Sequence, residues 1–126
     1  MSNDIDLVRE WLDTTTQGPE EKFVASITDD VLMRFPYIPA GMGGDINGVE
    51  HATKVFREVW KGFPTFQWHD VVIKKIEGED YYVTTGRSTA TRPNGDDYAN
   101  DYIMLTRLRD GKVCEHIEYF NPTVLG

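Results

Sequence analysis

Apolar residues at Ile5, Val8, Trp11 and Leu12 keep the three-to-four spacing of one helical face, which predicts a helix over residues 4–15 with Asp4 as its N-cap. Gly18-Pro19 breaks that pattern, and Pro19 at a first helical position opens a shorter helix with Phe23, Val24 and Ile27 as its apolar face. Asp29-Asp30 ends it, and residues 31–37 read as a strand. Pro36 and Pro39 then forbid regular pairing, and Gly41, Gly43, Gly44 and Gly48 mark a loop, either a plain connection or a lid over a site. A third helix over residues 48–63 gathers Val49, Ala52, Val55, Phe56, Val59 and Trp60 on one face, and Gly62 and Pro64 close it.

After that the period changes to two. Residues 66–76, 81–91, 98–108 and 112–121 read as strands, separated by turns at Glu77-Gly78-Glu79-Asp80, Pro93-Asn94-Gly95 and Asp110-Gly111. Short turns join antiparallel neighbours. Early helices and late strands together predict an α+β fold, a strongly bent antiparallel sheet with three helices on its concave face and a pocket between them. One domain over residues 1–126 is expected, since this length buries a core without staples.

The formal net charge of −8 would repel phosphate backbones, which argues against nucleic acid. No apolar run approaches a membrane span, so no membrane partner is expected. The first residues, Met1 to Asp6, lack the basic and apolar regions of a secretion signal, and a cytoplasmic protein is expected. Cys114 is the single cysteine, so no intramolecular disulfide can form. Three histidines without clustered spacing predict no metal site, and no organic cofactor is called for.

Candidate chemistry concentrates in the last strand. His116 and Glu118 stand two residues apart and project to one face, with Cys114 in the same phase. A carboxyl among apolar neighbours is desolvated, which raises its pKa and suits proton transfer. His116 can relay protons or orient that carboxyl, or it can be an ordinary bonded strand histidine. Asn100 and Tyr102 share a face on the preceding strand with Tyr98 and Met104. Asn100 can either contact a ligand carbonyl or hydroxyl or bond the closing strand. Arg34, Trp11, Trp60 and Phe120 complete the expected ligand wall. His51 is expected in solvent, and His69 and Asp70, being adjacent, face opposite sides.

The stretches Tyr98-Ala99-Asn100-Asp101-Tyr102, Gly111-Lys112-Val113 and Glu118-Tyr119-Phe120-Asn121-Pro122, with Phe35-Pro36, resemble the SnoaL-like branch of the nuclear transport factor 2-like superfamily, and within it the phenazine-biosynthesis A/B proteins. The resemblance covers nearly the whole chain and implies a cone-shaped cavity for a hydrophobic small molecule and a homodimer paired through the outer sheet face. It also implies that Glu118 is a cavity acid/base. Against the ketosteroid isomerases of the branch, the positions of the tyrosine and two aspartates hold Trp11, Phe35 and the Tyr102-Ile103 neighbourhood. The implied activity is acid/base chemistry without a cofactor, such as isomerisation, cyclisation, dehydration or hydrolysis of a hydrophobic or aromatic metabolite. The alternative is a non-catalytic ligand-binding or dimerisation module.

Overall fold

The computed structural model describes residues 4–38 and 44–124. Its elements are α1 (Asp4–Gln17), α2 (Glu20–Ala25), β1 (Ile27–Arg34), β2 (Ile46–Asn47), α3 (Val49–Gly62), β3 (Gln67–Lys75), β4 (Tyr81–Thr91), β5 (Asp97–Arg109) and β6 (Lys112–Phe120), with a 3-10 turn at Pro122–Val124. The six strands form one curved, unclosed sheet in the order β2-β1-β6-β5-β4-β3. The expected mixed α+β architecture of three helices against a bent sheet is present.

Alternation sets the inner face. Tyr82, Thr84, Ser88 and Ala90 of β4, and Tyr98, Asn100, Tyr102, Met104, Thr106 and Leu108 of β5, are all buried. Against this face α1 buries Val8, Trp11 and Leu12, α2 buries Phe23, and α3 buries Ala52 and Phe56. Each such large apolar side chain stabilises the fold by about 1.5–3 kcal/mol. Two tertiary hydrogen bonds seat α1. Tyr82 donates its hydroxyl to the Asp4 carboxylate at 2.9 Å, and the Trp68 indole N–H donates to the Leu12 carbonyl and to Thr15 Oγ1, both at 3.1 Å.

Three details depart from the sequence pattern. First, β1 runs from Ile27 to Arg34 rather than over 31–37, and Asp29-Asp30 lie inside it. Both are exposed, at the place where the register with β6 slips between Ile27 and Leu32. An outward-facing acidic pair need not stop a strand, because only its inward partners must be apolar. Second, β1 pairs β6 in parallel, while the other pairings are antiparallel. A parallel pairing joins the two ends of the chain and leaves no local turn signal to read. Third, β2 is only two residues long, too short for any periodicity. Pro19 serves as the N-cap of α2, one position earlier than expected. Much of the glycine loop, residues 39–43, lies outside the described residues, and with it the choice between connection and lid.

Candidate functional site

β5 and β6 face each other with Thr106 opposite His116, Met104 opposite Glu118 and Tyr102 opposite Phe120. On its other side His116 stands beside Met33 of β1. This double flanking by strands, with Trp11 of α1 above, buries the imidazole to 1% exposure. The Trp11 ring meets it edge-on, centroids 4.6 Å apart. Both ring nitrogens are engaged: Nδ1 lies 3.0 Å from Thr106 Oγ1 and Nε2 lies 3.1 Å from Glu118 Oε1. The Glu118 side chain keeps 18% of its surface exposed. His116 and Glu118 therefore come together as their spacing predicts, and the carboxylate is the member of the pair that reaches outward.

Asn100 is a clamp. Its Oδ1 accepts the backbone N–H groups of Asp101 and Asn121, each at 2.9 Å, and its Nδ2 donates to Tyr98 Oη at 2.9 Å and to the Asn121 carbonyl at 3.1 Å. Two backbone donors fix which end of the amide is oxygen. All four hydrogen-bonding directions are spent, which is the structural alternative for this residue. Tyr98 Oη in turn lies 3.2 Å from Tyr102 Oη, which lies 2.8 Å from Ser88 Oγ, so the hydrogen-bonded chain continues from Asn100 to Ser88. Burial first, and the nearby Glu118 charge second, push the Tyr102 phenol well above its ordinary range. It stays a neutral hydroxyl beside the carboxylate.

Aromatic rings fill much of the interior around this group. Trp68 packs edge-on to Tyr102 at 4.8 Å, Phe63 packs against Tyr98 at 4.9 Å, and Phe120 lies 6.3 Å from Tyr102. The remaining expected wall residues sit elsewhere. Arg34 is exposed on the opposite side of β1 and pairs with Asp45 at 3.6 Å. The Trp60 ring contacts Phe23 and Phe56 and borders a shallow cleft of about 460 Å³ with Lys54, Arg57, Glu58 and Lys61. A second cleft, of about 220 Å³, is bordered by Ser88, Asn100, Asn121 and Val124 among others. Neither is lined by Glu118 or His116, so the clefts and the chemically suggestive pair do not coincide. The pair is the better guide to function, because the cleft on α3 is open surface and two of its cations, Arg57 and Lys61, are paired with Glu20 and Glu58.

Cys114 does not join His116. A bulge lets β6 advance two residues, Val113 to Glu115, while β5 advances one, so Val113 turns inward and Cys114 is the extra residue. Its thiol donates to the Arg107 carbonyl, and burial pushes its pKa up, away from thiolate character. His51 Nδ1 accepts the Asn47 backbone N–H in an exposed setting, and His69 bonds Thr89 while Asp70 pairs with Arg87. Among the described residues, no three His, Cys, Asp or Glu side chains gather in a metal-binding group. No helix among them is long and apolar enough to cross a membrane. Sequence reasoning missed Thr106, Ser88 and Trp68. Thr106 was within reach, since it continues the inward alternation from Asn100, Tyr102 and Met104.

A family model described as a SnoaL-like domain matches residues 8–116. Similar solved structures include a provisionally assigned isomerase from Bacillus subtilis, with TM-score 0.85 and 17% identity, covering 98% of this chain and 92% of that one. A provisionally assigned polyketide cyclase from Xanthomonas campestris gives TM-score 0.80 and 16% identity, covering 95% and 91%. A phenazine biosynthesis-related protein from Pseudomonas aeruginosa gives TM-score 0.76 and 14% identity, covering 97% and 86%. At these identities the likeness speaks for the fold. A search of curated proteins found no match.

Proposed function

The chain belongs to the SnoaL-like family, and from that premise we propose that it is a cofactor-independent enzyme in which Glu118 moves a proton on a hydrophobic or aromatic small molecule. The observation that carries this reading is the Glu118 carboxylate held at 3.1 Å by the buried His116 imidazole while keeping 18% of its own surface exposed. A base must be oriented, yet reachable by substrate; His116 supplies the first condition and the outward position of Glu118 the second. Tyr102, close enough to Glu118 for the carboxylate charge to help raise the phenol's pKa, supplies a hydroxyl that stays neutral. Trp11 packs against His116, and Phe120 against Tyr102, so the surroundings of the pair are largely aromatic. Isomerisation, cyclisation, dehydration and hydrolysis all need such a proton transfer, and a carboxyl can perform it without a metal or organic group. The isomerase and cyclase descriptions of the structural neighbours point the same way.

The test is deuterium incorporation, followed by NMR, when a panel of cyclic enones and aryl ketones is incubated with the protein in D₂O. Exchange at one α-carbon is expected for at least one compound, and Glu118→Gln slows it by about 100-fold or more, the usual share of a positioned general base. Exchange untouched by that substitution would overturn the assignment.

A second reading, a non-catalytic ligand-binding or dimerisation module, is favoured by the interior packing of Trp11, Phe63 and Tyr98. On either reading we place the protein in the cytoplasm as a homodimer. Val72, Thr85, Ile103 and Tyr119 form one row across β3, β4, β5 and β6 on the outer sheet face. Val72 and Ile103 are about half exposed, and Tyr37 lies against Tyr119. A row with two half-exposed aliphatic side chains and an aromatic end fits burial against a second copy.

A further inference from the structure

We propose that Thr106 is a positioning residue for Glu118, acting through His116: its hydroxyl donates to Nδ1 and so fixes the imidazole with its single proton on Nε2, aimed at the carboxylate. The inference rests on the proposed role of Glu118 for its catalytic consequence, but not for its geometry.

With Glu118 ionised and His116 neutral, the hydrogen-bonding capacities leave one consistent arrangement. An ionised carboxylate only accepts, so Nε2, 3.1 Å from Glu118 Oε1, carries the proton. A neutral imidazole then has a bare lone pair on Nδ1, which needs a donor. Thr106 Oγ1, 3.0 Å away and fully buried, is the donor. Its cross-strand position opposite His116 holds it there, and its β-branched side chain has few rotamers to spare. The imidazole is buried to 1% exposure, with the Trp11 ring edge-on at 4.6 Å, so a substitute donor is not readily supplied by solvent. Without that donor, the buried Nδ1 lone pair would be unsatisfied, and the ring would gain by turning away from its present plane. Glu118 would then lose its only hydrogen-bond partner among the described residues. The other carboxylate oxygen, the one free to meet a substrate, would lose its aim with it.

The experiment is long-range ¹H–¹⁵N NMR of the imidazole nitrogens in ¹⁵N-histidine-labelled protein at neutral pH, on the wild type, Thr106→Ser and Thr106→Val. In the wild type His116 is expected to show a proton-bearing Nε2 and a bare Nδ1, with a slowly exchanging Nε2–H signal. Thr106→Ser keeps this signature. Thr106→Val speeds exchange of that proton by about 10-fold or more, and in the deuterium-incorporation assay lowers kcat by a similar factor with little change in KM. A wild-type His116 carrying its proton on Nδ1 overturns the inference without any variant, so a Thr106→Val chain that fails to fold does not shelter it. So does a Thr106→Val spectrum identical to the wild type. If the NMR signatures behave as expected while Glu118→Gln leaves exchange unaltered, the positioning holds and it is the catalytic role of Glu118 that fails.

Discussion

Single residues divide into those that hold and those that reach. Asn100 spends its whole amide on Tyr98 and on the backbone of Asp101 and Asn121, tying β5 to the turn that follows β6. Replacing it with alanine leaves two backbone N–H groups and a carbonyl without their partner in a half-buried setting. A loss of about 2–4 kcal/mol is expected, from several hydrogen bonds each contributing about 1 kcal/mol and the added penalty of unsatisfied groups. Urea denaturation followed by tryptophan fluorescence measures it, and a change below about 0.5 kcal/mol would remove the clamp from the account. Glu118 is of the other kind, bonded once and with part of its side chain exposed. His116 stands between them in role: its ring nitrogens are both engaged and its ring is buried against Trp11, so its effect on chemistry passes through Glu118.

At the level of elements, α1 closes the concave face, and it is held more by tertiary bonds than by its own sequence. Asp6 and Asp4 favour its first turn, but its last turn carries no basic residue to meet the helix dipole. The Trp68 indole instead takes up the Leu12 carbonyl and the Thr15 hydroxyl near that end. Trp68→Phe keeps most of the ring packing against Tyr102 and Phe66 while deleting the N–H. The expected outcome is faster amide hydrogen exchange in α1 with protection in β5 and β6 nearly unchanged, read by mass spectrometry. Uniform acceleration across the chain would mean that α1 and the sheet open as one unit. The bulge in β6 is the second decisive element. By absorbing one residue at Cys114 it lets both Val113 and His116 point inward, three positions apart.

For the whole molecule, the curved sheet has an apolar inner face and an outer face that mixes apolar and charged side chains. The inner one is covered by the helices, and the outer one is left with Val72, Ile103 and Tyr37 about half exposed or more. A stable interface buries about 1,200–2,000 Å² in total, which a six-stranded face can offer. Ile103→Glu places a charge at the centre of the outer row without touching the inner face, since its neighbours Tyr102 and Met104 point the other way. Sedimentation velocity is expected to show a dimer for the wild type and a monomer for the variant, with unaltered circular dichroism. A monomeric wild type would overturn the homodimer.

Helix faces, strand alternation and hairpin turns were legible in the sequence because each is decided within a few residues of the chain. The spacing of Ile5, Val8, Trp11 and Leu12, the turn at Asp110-Gly111 and the shared face of His116 and Glu118 all follow from backbone periodicity and local turn chemistry. Family motifs in the same stretches added the fold. What lay beyond that reach depends on contacts between distant segments. The parallel pairing of β1 with β6, the turning of Arg34 to the exposed side, the bulge at Cys114 and the packing of Trp60 against Phe23 are choices among arrangements that local sequence permits equally. The donor behind His116 is of this second kind. Alternation can place Thr106 inward, but only the register between β5 and β6 puts its hydroxyl on Nδ1, because a hydrogen bond is decided by position in space and not by separation along the chain.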